Sequence, residues 1–115
     1  MQHNSELPHL STYSFLIMNS QLIHTISEYF KTKPVQKAWV FGSFARGEEG
    51  PDSDIDILVT LDKEAHVGLI KFSGMRCELE ERLQRSVDLV VEGALMPYAV
   101  DSVNRDKILV YERVS

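Results

Sequence analysis

The sequence predicts an α+β domain of layered α/β architecture, in which helices pack on a small mixed β-sheet of about four strands. Four short apolar runs have the length and alternation of strands, and three other segments repeat apolar residues at helical spacing. The 115 residues, 43% of them hydrophobic and 25% charged, suit one ordinary domain with a single modest core.

The elements are predicted in the order α-β-β-α-β-α-β. Residues 1–18 begin with a polar stretch without periodicity, so we expect them to form a poorly ordered tail ahead of a domain over 19–115. The first helix ends before Pro34. Its apolar face consists of Leu22, Ile23, Ile26, Tyr29 and Phe30.

The four strands are predicted over 38–41, 54–61, 87–91 and 108–111. The first is a short apolar run that stops at Gly42. In the second, apolar residues alternate with others, as in a strand that is buried on one face. The third and fourth are again short apolar runs of strand length.

Two further helices complete the prediction. Segment 63–85 keeps the helical period, although Gly68 and Gly74 weaken its first half and leave its start open. Pro97 suits the first turn of the last helix, on which we expect Val100 and Val103 to face inward.

The composition excludes several classes of function. A net charge of −5 and a sequence pI of about 5.3 argue against strong nucleic-acid binding, which leaves a basic surface. No apolar run approaches the length of a membrane span. A single cysteine, Cys77, cannot form an internal disulfide, so we expect a cytoplasmic protein. An acidic domain can still hold a nucleotide if metal ions bridge the like charges.

A glycine-containing turn follows the first strand and predicts a phosphate site. Gly42 lets the backbone approach a ligand, and a short helix from Ser43 directs N–H groups at an anion. Gly42 and Gly47 also have P-loop spacing, but Glu48 occupies the position of the essential lysine, which excludes a P-loop. Arg46 either binds the triphosphate or pairs with Glu48 or Glu49, and the sequence leaves both open.

Three aspartates predict a metal site. Asp54 and Asp56 stand two positions apart on a predicted strand, so their side chains share one face, about 6.6 Å apart. Such carboxylates repel each other, and Mg²⁺ compensates them. Asp88 interrupts an apolar strand, where an uncompensated carboxylate is costly. If the two strands are neighbours, the cluster can hold two metal ions about 3.5–4 Å apart.

Each feature alone also has an ordinary structural explanation. Ser43 suits a helix cap, and the pair of Asp54 and Asp56 suits an exposed strand edge. Asp88 suits the partner of a nearby cation. Together and in this order they favour a nucleotide-transfer site, in which Asp88 accepts the proton of an incoming hydroxyl if it lies nearest to it.

The motifs resemble the signature of the nucleotidyltransferase superfamily that includes DNA polymerase beta. That signature is Gly-Ser, a short spacer, Asp-x-Asp on a strand and a third Asp on a later strand. Here it reads GSFARGEEGPDSDIDILV, followed by VDLVV. The resemblance is to the minimal nucleotidyltransferases of prokaryotes and extends from about Ser20 to Tyr111. All three acidic positions are filled, which implies an active enzyme with the nucleotidyltransferase fold.

The resemblance also implies roles, cofactors and partners. The catalytic residues and ligands of two Mg²⁺ or Mn²⁺ ions would be Asp54, Asp56 and Asp88, and the nucleotide would bind at Gly42, Ser43 and Arg46. The implied reaction transfers a nucleoside monophosphate, AMP from ATP by analogy, to a hydroxyl of a partner protein. The implied partner is a HEPN-domain protein, with this chain as the antitoxin of a HEPN/MNT toxin–antitoxin module.

Two alternatives remain open from the sequence. One is a non-catalytic antitoxin that neutralises its partner by occupying it. The other is a nucleotidyltransferase for a small cationic molecule, as in enzymes that inactivate aminoglycosides, although those relatives carry an additional domain. A chain of 115 residues cannot easily enclose a large substrate, so we expect a partner or a second copy to complete the site.

Overall fold

The computed structural model describes residues 19–48 and 53–114, so the predicted tail over 1–18 lies outside the described residues. Four helices and four strands follow one another along this part of the chain. They are α1 (residues 19–30), β1 (Val35–Phe41), α2 (Gly42–Ala45), β2 (Ile55–Leu61), α3 (Leu69–Leu83), β3 (Val87–Val91), α4 (Pro97–Asp106) and β4 (Ile108–Glu112).

The four strands form one mixed sheet in the order β3-β2-β1-β4. Strand β1 is antiparallel to both of its neighbours, whereas β2 and β3 are parallel. A parallel pair needs a crossover connection, and α3 provides it between β2 and β3. The predicted four-stranded mixed sheet with packed helices is therefore confirmed.

The main core lies between one face of the sheet and the helices α1 and α3. Alternate side chains along most of the two central strands are fully buried there, as Val40 and Ile57 illustrate. Phe30 of α1 and Leu79 of α3 reach the same cluster and are also 0% exposed. The predicted apolar face of α1 and one face of α3 thus supply the core.

Leu79→Ala should lower the free energy of unfolding by about 2–5 kcal/mol, because it deletes buried methyl groups and leaves a cavity. Leu69→Ala in the same helix is the matched control, since Leu69 is 80% exposed and its loss should change stability by about 0.5 kcal/mol or less. Urea unfolding of both variants measures the difference. Equal stabilities would contradict the packing of α3 against the sheet.

Helix α3 starts later than the sequence predicts, at Leu69 rather than near residue 63. Gly68 is extended, with φ −77° and ψ 172°, and its carbonyl accepts the bond from the Phe72 amide that opens the helix. Ahead of it, Asp62 is held elsewhere: its amide donates to the Pro34 carbonyl and its carboxylate accepts from Arg113. With Asp62 anchored in this way, the Ala65 amide donates to the Asp62 carbonyl at 3.1 Å, and the chain forms a turn where the helix was predicted to start.

The second face of the sheet is covered only in part, by α4. Because strand side chains alternate, Trp39 and Leu58 point to this face. Lys107, just after α4, places its ammonium 4.5 Å from the centre of the Trp39 ring, and Val103 of α4 is buried as predicted. None of the helices within residues 19–48 and 53–114 is long and apolar enough to cross a membrane.

Candidate active site

Strand register brings two of the three predicted aspartates side by side. In the parallel pair of β2 and β3, Asp56 is the direct partner of Asp88. In the antiparallel pair of β1 and β2, Asp56 is the partner of Phe41. Direct partners point to the same face and their strands are about 4.8 Å apart. Asp56 therefore lies between Phe41 and Asp88 on the face that α4 leaves partly open.

Asp54 lies immediately before β2, and the backbone on both sides of it is held by the turn after α3. The Arg85 guanidinium donates to the Ser53 carbonyl at 2.8 Å, and the Ile55 amide donates to the Ser86 carbonyl at 2.9 Å. The Asp54 side chain remains exposed. The structure thus fixes the backbone at Asp54 and leaves its carboxylate available to a ligand.

The start of β3 is held in a similar way. A carboxylate oxygen of Glu80 in α3 accepts a hydrogen bond from the Val87 amide at 2.9 Å, directly before Asp88. Arg76 supports that carboxylate through an ion pair with Glu80 at 3.0 Å. Sequence analysis missed these positioning residues, because a hydrogen bond from a helix side chain to the next strand has no local sequence signal.

The three aspartates are close enough for their charges to interact. Burial raises the pKa of the half-buried Asp56 carboxyl above its ordinary value, and the negative charges of Asp88 and Asp54 raise that pKa further. The positive charge of Arg46 acts in the opposite direction. Burial and the neighbouring charges therefore disfavour the ionised form of Asp56, and a bound cation relieves this repulsion.

The donor set suits a hard divalent cation. Neighbouring carboxylates beside an open face of a sheet are the kind of ligand that Mg²⁺ and Mn²⁺ prefer, together with substrate phosphates. In the described part of the chain, no three His, Cys, Asp or Glu side chains already stand in an arrangement that would hold a metal ion. Binding of an ion therefore requires the side chains to turn toward it.

The raised pKa of Asp56 predicts a measurable effect on stability. The folded state binds this proton more tightly than the unfolded state, so unfolding free energy falls as pH rises from about 3.8 through the raised pKa. Without metal at pH 7.5, Asp56→Asn should therefore stabilise the protein, by about 0.5–2 kcal/mol. Urea unfolding in EDTA measures this, with the exposed Asp101→Asn as control. A destabilised Asp56→Asn would contradict the repulsion.

Gly42 brings the backbone against the carboxylate of Asp56. Its φ of +70° is in the left-handed region, and a Cβ placed there would lie within 2.2 Å of the Asp56 Oδ2 atom. Only glycine fits both the conformation and the contact. The glycine predicted to let the chain approach a ligand is therefore adjacent to the carboxylates.

The turn after Gly42 is the short helix α2, which begins one residue earlier than predicted. Phe44 is 4% exposed and anchors α2 in the main core. The Glu48 amide donates to the Ser43 carbonyl at 2.8 Å and closes the turn. This anchoring places the partly exposed Ser43 beside the aspartate cluster.

Arg46 forms two ion pairs in the structure. Its Nε donates to Glu48 at 3.0 Å, which is one of the pairings left open by the sequence. Its Nη1 donates to Asp106 at the end of α4, also at 3.0 Å. Asp106 is 60 positions from Arg46 in the sequence, so local sequence patterns do not predict this pairing. Binding of a triphosphate by Arg46 remains a prediction.

A cavity of about 400 Å³ borders the site. Phe41, Gly42 and Arg46 form one wall. One side of α4 forms the other, with Tyr98, Ala99, Ser102, Val103 and Asp106. Phe41 is the strand partner of Asp56, so the cavity opens next to the carboxylates. Of the two residues of α4 that the sequence predicts to face inward, Val103 lines the cavity and Val100 does not.

Comparison with known proteins decides the family. The model of the nucleotidyltransferase domain family matches residues 21–110, which include all the elements that carry the predicted site. The chain belongs to the nucleotidyltransferase domain family. A protein adenylyltransferase, MntA of Thermococcus cleftensis, is 41% identical over 76 residues, which cover 66% of this chain and 75% of the relative. The predicted enzyme class is confirmed.

Solved structures confirm the nucleotidyltransferase fold. A toxin–antitoxin structure with AMP-PNP has a TM-score of 0.67 at 22% identity, over 79% of this chain and 73% of that one. A tri-AMPylated HEPN toxin of Shewanella oneidensis in complex with its MNT antitoxin has a TM-score of 0.57 at 18% identity, over 86% and 73%. The architecture predicted from the sequence is thus the fold that these solved structures share with this chain.

Proposed function

We propose that this nucleotidyltransferase is a protein adenylyltransferase, which transfers AMP from ATP to a hydroxyl of a HEPN-domain partner and serves as the antitoxin of that pair. The observation that carries the proposal is the convergence of Asp56, Asp88 and Gly42 on one partly open face. With ATP as substrate and a single thiol at Cys77, we propose the cytoplasm as its compartment.

In the proposed reaction, the acceptor oxygen attacks the α-phosphorus while the bond to the β-phosphate breaks and pyrophosphate leaves. Two divalent cations, when bound, neutralise the attacking and leaving oxygens of such a displacement. Asp54 and Asp56 would hold these ions, and Asp88 would be a third ligand. Asp88 lies on the edge strand β3 with its side chain exposed, where it accepts the proton of the incoming hydroxyl.

The phosphates are held on the other side of Asp56. The backbone of Gly42 and Ser43 and the hydroxyl of Ser43 face the β- and γ-phosphates. Arg46 binds the triphosphate once it leaves Asp106, so nucleotide binding exchanges one anionic partner for another.

The partner follows from relatives. The Thermococcus cleftensis relative is a protein adenylyltransferase, and the Shewanella oneidensis structure pairs an MNT antitoxin with an AMPylated HEPN toxin. The chain is short enough that a partner bound over the open face would complete the site. A second copy of the chain is the alternative way to complete it.

The test is direct transfer. The chain, ATP and Mg²⁺ are incubated with each protein encoded by a neighbouring gene, and intact mass spectrometry should find a HEPN-domain partner among them heavier by one AMP. Peptide mapping then identifies the modified hydroxyl. No mass gain with any neighbour-encoded protein would overturn the proposal. An aminoglycoside as acceptor in the same assay tests the small-molecule alternative.

The binding-only alternative predicts a different outcome. A triple variant with Asn at positions 54, 56 and 88 removes all three carboxylates without changing side-chain size. If this variant still suppresses the partner's toxicity at full strength, occupancy alone accounts for neutralisation. If suppression is lost while the two proteins still co-purify, transfer is required.

A further inference from the structure

The cavity between α4 and the start of α2 lies to one side of the aspartate cluster. The sheet order β3-β2-β1 places Asp88 on one side of Asp56 and Phe41 on the other. The cavity begins at Phe41, so it lies on the side opposite to Asp88. Under the proposed function, Asp88 faces the acceptor, and the cavity is therefore on the nucleotide side of the reaction.

The cavity walls suit a flat ring better than further phosphates. Phe41, Ala99 and Val103 supply apolar surface, and Ser102 supplies one hydroxyl. Among the described residues that line the cavity, Arg46 is the single cation, and it is paired with Asp106 on the opposite wall. Phosphates seek several donors, whereas a nucleobase needs apolar contact and a few polar groups. A volume of about 400 Å³ lies within the range of small-molecule sites.

Tyr98 offers an aromatic surface at this cavity. Its side chain is 87% exposed, although it lines the wall, so its ring contributes little to the core of the protein. It stands in the first turn of α4, whose start is fixed by Pro97. An exposed ring on a stable helix is a suitable platform for stacking, and stacking accepts any base.

Asp106 gives the cavity a defined boundary. Its carboxylate is 18% exposed and holds Arg46 from the end of α4, so the pair joins α4 to α2 across the cavity. Before the triphosphate binds, this link holds α4, with Tyr98 and Ser102, next to the turn at Gly42. The cavity is therefore positioned by the same turn that carries the proposed phosphate site.

From these observations we propose that this cavity holds the nucleoside of the nucleoside triphosphate, with the Tyr98 ring stacked on the base and the Ser102 hydroxyl hydrogen-bonded to the nucleoside. The inference rests on the proposed function and extends it, because it places the base and ribose on α4. Tyr98 is then a binding residue for the nucleoside and takes no part in holding the phosphates.

The test compares two ligands that share their phosphates and differ in the nucleoside. Binding of AMP-PNP and of inorganic tripolyphosphate is measured by calorimetry with Mg²⁺ on the wild type and on Tyr98→Ala. The variant should bind AMP-PNP about 10- to 100-fold more weakly, the range expected for the loss of one base–aromatic stack. Its affinity for tripolyphosphate should be unchanged.

Two control variants separate stacking from general damage. Tyr98→Phe keeps the ring and should bind AMP-PNP as the wild type does. Met96→Ala removes a neighbouring side chain that is 60% exposed and does not line the cavity, and it should also bind normally. All three substitutions affect exposed residues, so the variants should fold and melt as the wild type does.

Three other results would overturn the inference, and one of them would also overturn the proposed function. Unchanged AMP-PNP affinity in Tyr98→Ala overturns the inference and leaves the proposed function standing. An equal loss of both ligands also overturns it, since the residue would then act on the phosphate site. If the wild type binds neither ligand, both the proposed function and the inference are overturned.

Discussion

Asp56→Asn should reduce the rate of AMP transfer by about 10³-fold or more, because the ion site loses its central charge and several kcal/mol of transition-state stabilisation. Asp56 lies between Asp88 and the turn at Gly42, a position that no other carboxylate of the cluster occupies. The amide keeps the size of the side chain and removes its charge. The fold should survive, and without metal it should be more stable than the wild type.

Single-turnover transfer of AMP at saturating ATP and Mg²⁺ measures this effect. Asp101→Asn is the matched control: it removes one exposed aspartate of α4 that lies outside the cavity lining, and its rate should stay within a factor of about two. A rate near that of the wild type in Asp56→Asn would remove Asp56 from the ion site. A lost rate together with lost thermal stability would indicate damage to the fold instead.

A substitution that raises stability and lowers activity indicates that the carboxylate it replaces serves function rather than folding. Asp56 is half-buried next to two like charges, and burial and repulsion both act against its ionised form. A residue selected only for stability would not be an aspartate at this position. The repulsion is useful only if a cation and a triphosphate later occupy the same place.

The alternation of apolar and polar residues along each segment was sufficient to predict the strands and which side chains share a face. Ile55 and Ile57 are buried and Asp56 faces away from them, as the alternation of β2 requires. The same reasoning placed Asp88 on a strand whose neighbours Val87 and Leu89 are buried. Strand alternation depends on adjacent residues only, so a single sequence is enough to recognise it.

The pairing of the strands is not a local property. That Asp56 stands opposite Asp88 depends on β3 lying parallel to β2, and the sequence analysis could only assume that they were neighbours. The ion pair of Arg46 with Asp106 is non-local in the same sense. Such contacts are set by how helices and strands pack, which requires the coordinates of the whole sheet.

The cavity was missed for a further reason. On α4, Tyr98, Ser102 and Asp106 recur every four residues and form one stripe of the helix. Two of the three are polar, so the stripe resembles an ordinary solvated helix face. Only its position beside Phe41 and Gly42 distinguishes it from such a face.

Gly42→Ala should also eliminate most of the activity, with a loss of about 10²-fold or more, as expected when a catalytic group is displaced by about 1 Å. The new methyl group would meet the Asp56 carboxylate, whose end is the nearest atom at 2.2 Å. A carboxylate can rotate away, so the protein should still fold, but the charge then leaves the ion site. The left-handed φ of +70° adds about 1–2 kcal/mol of backbone strain.

Two other glycines separate these effects. Gly93 has a φ of +99° with no atom within 4 Å of a new Cβ, so Gly93→Ala introduces strain without a clash. Gly74 lies inside α3 with open space around it, and Gly74→Ala should stabilise the helix by about 0.5–1 kcal/mol. Transfer rates and urea unfolding of all three variants should therefore assign the activity loss to Gly42 alone. If Gly93→Ala loses as much activity as Gly42→Ala, backbone strain would be sufficient, and the contact between Gly42 and Asp56 would not be what maintains the site.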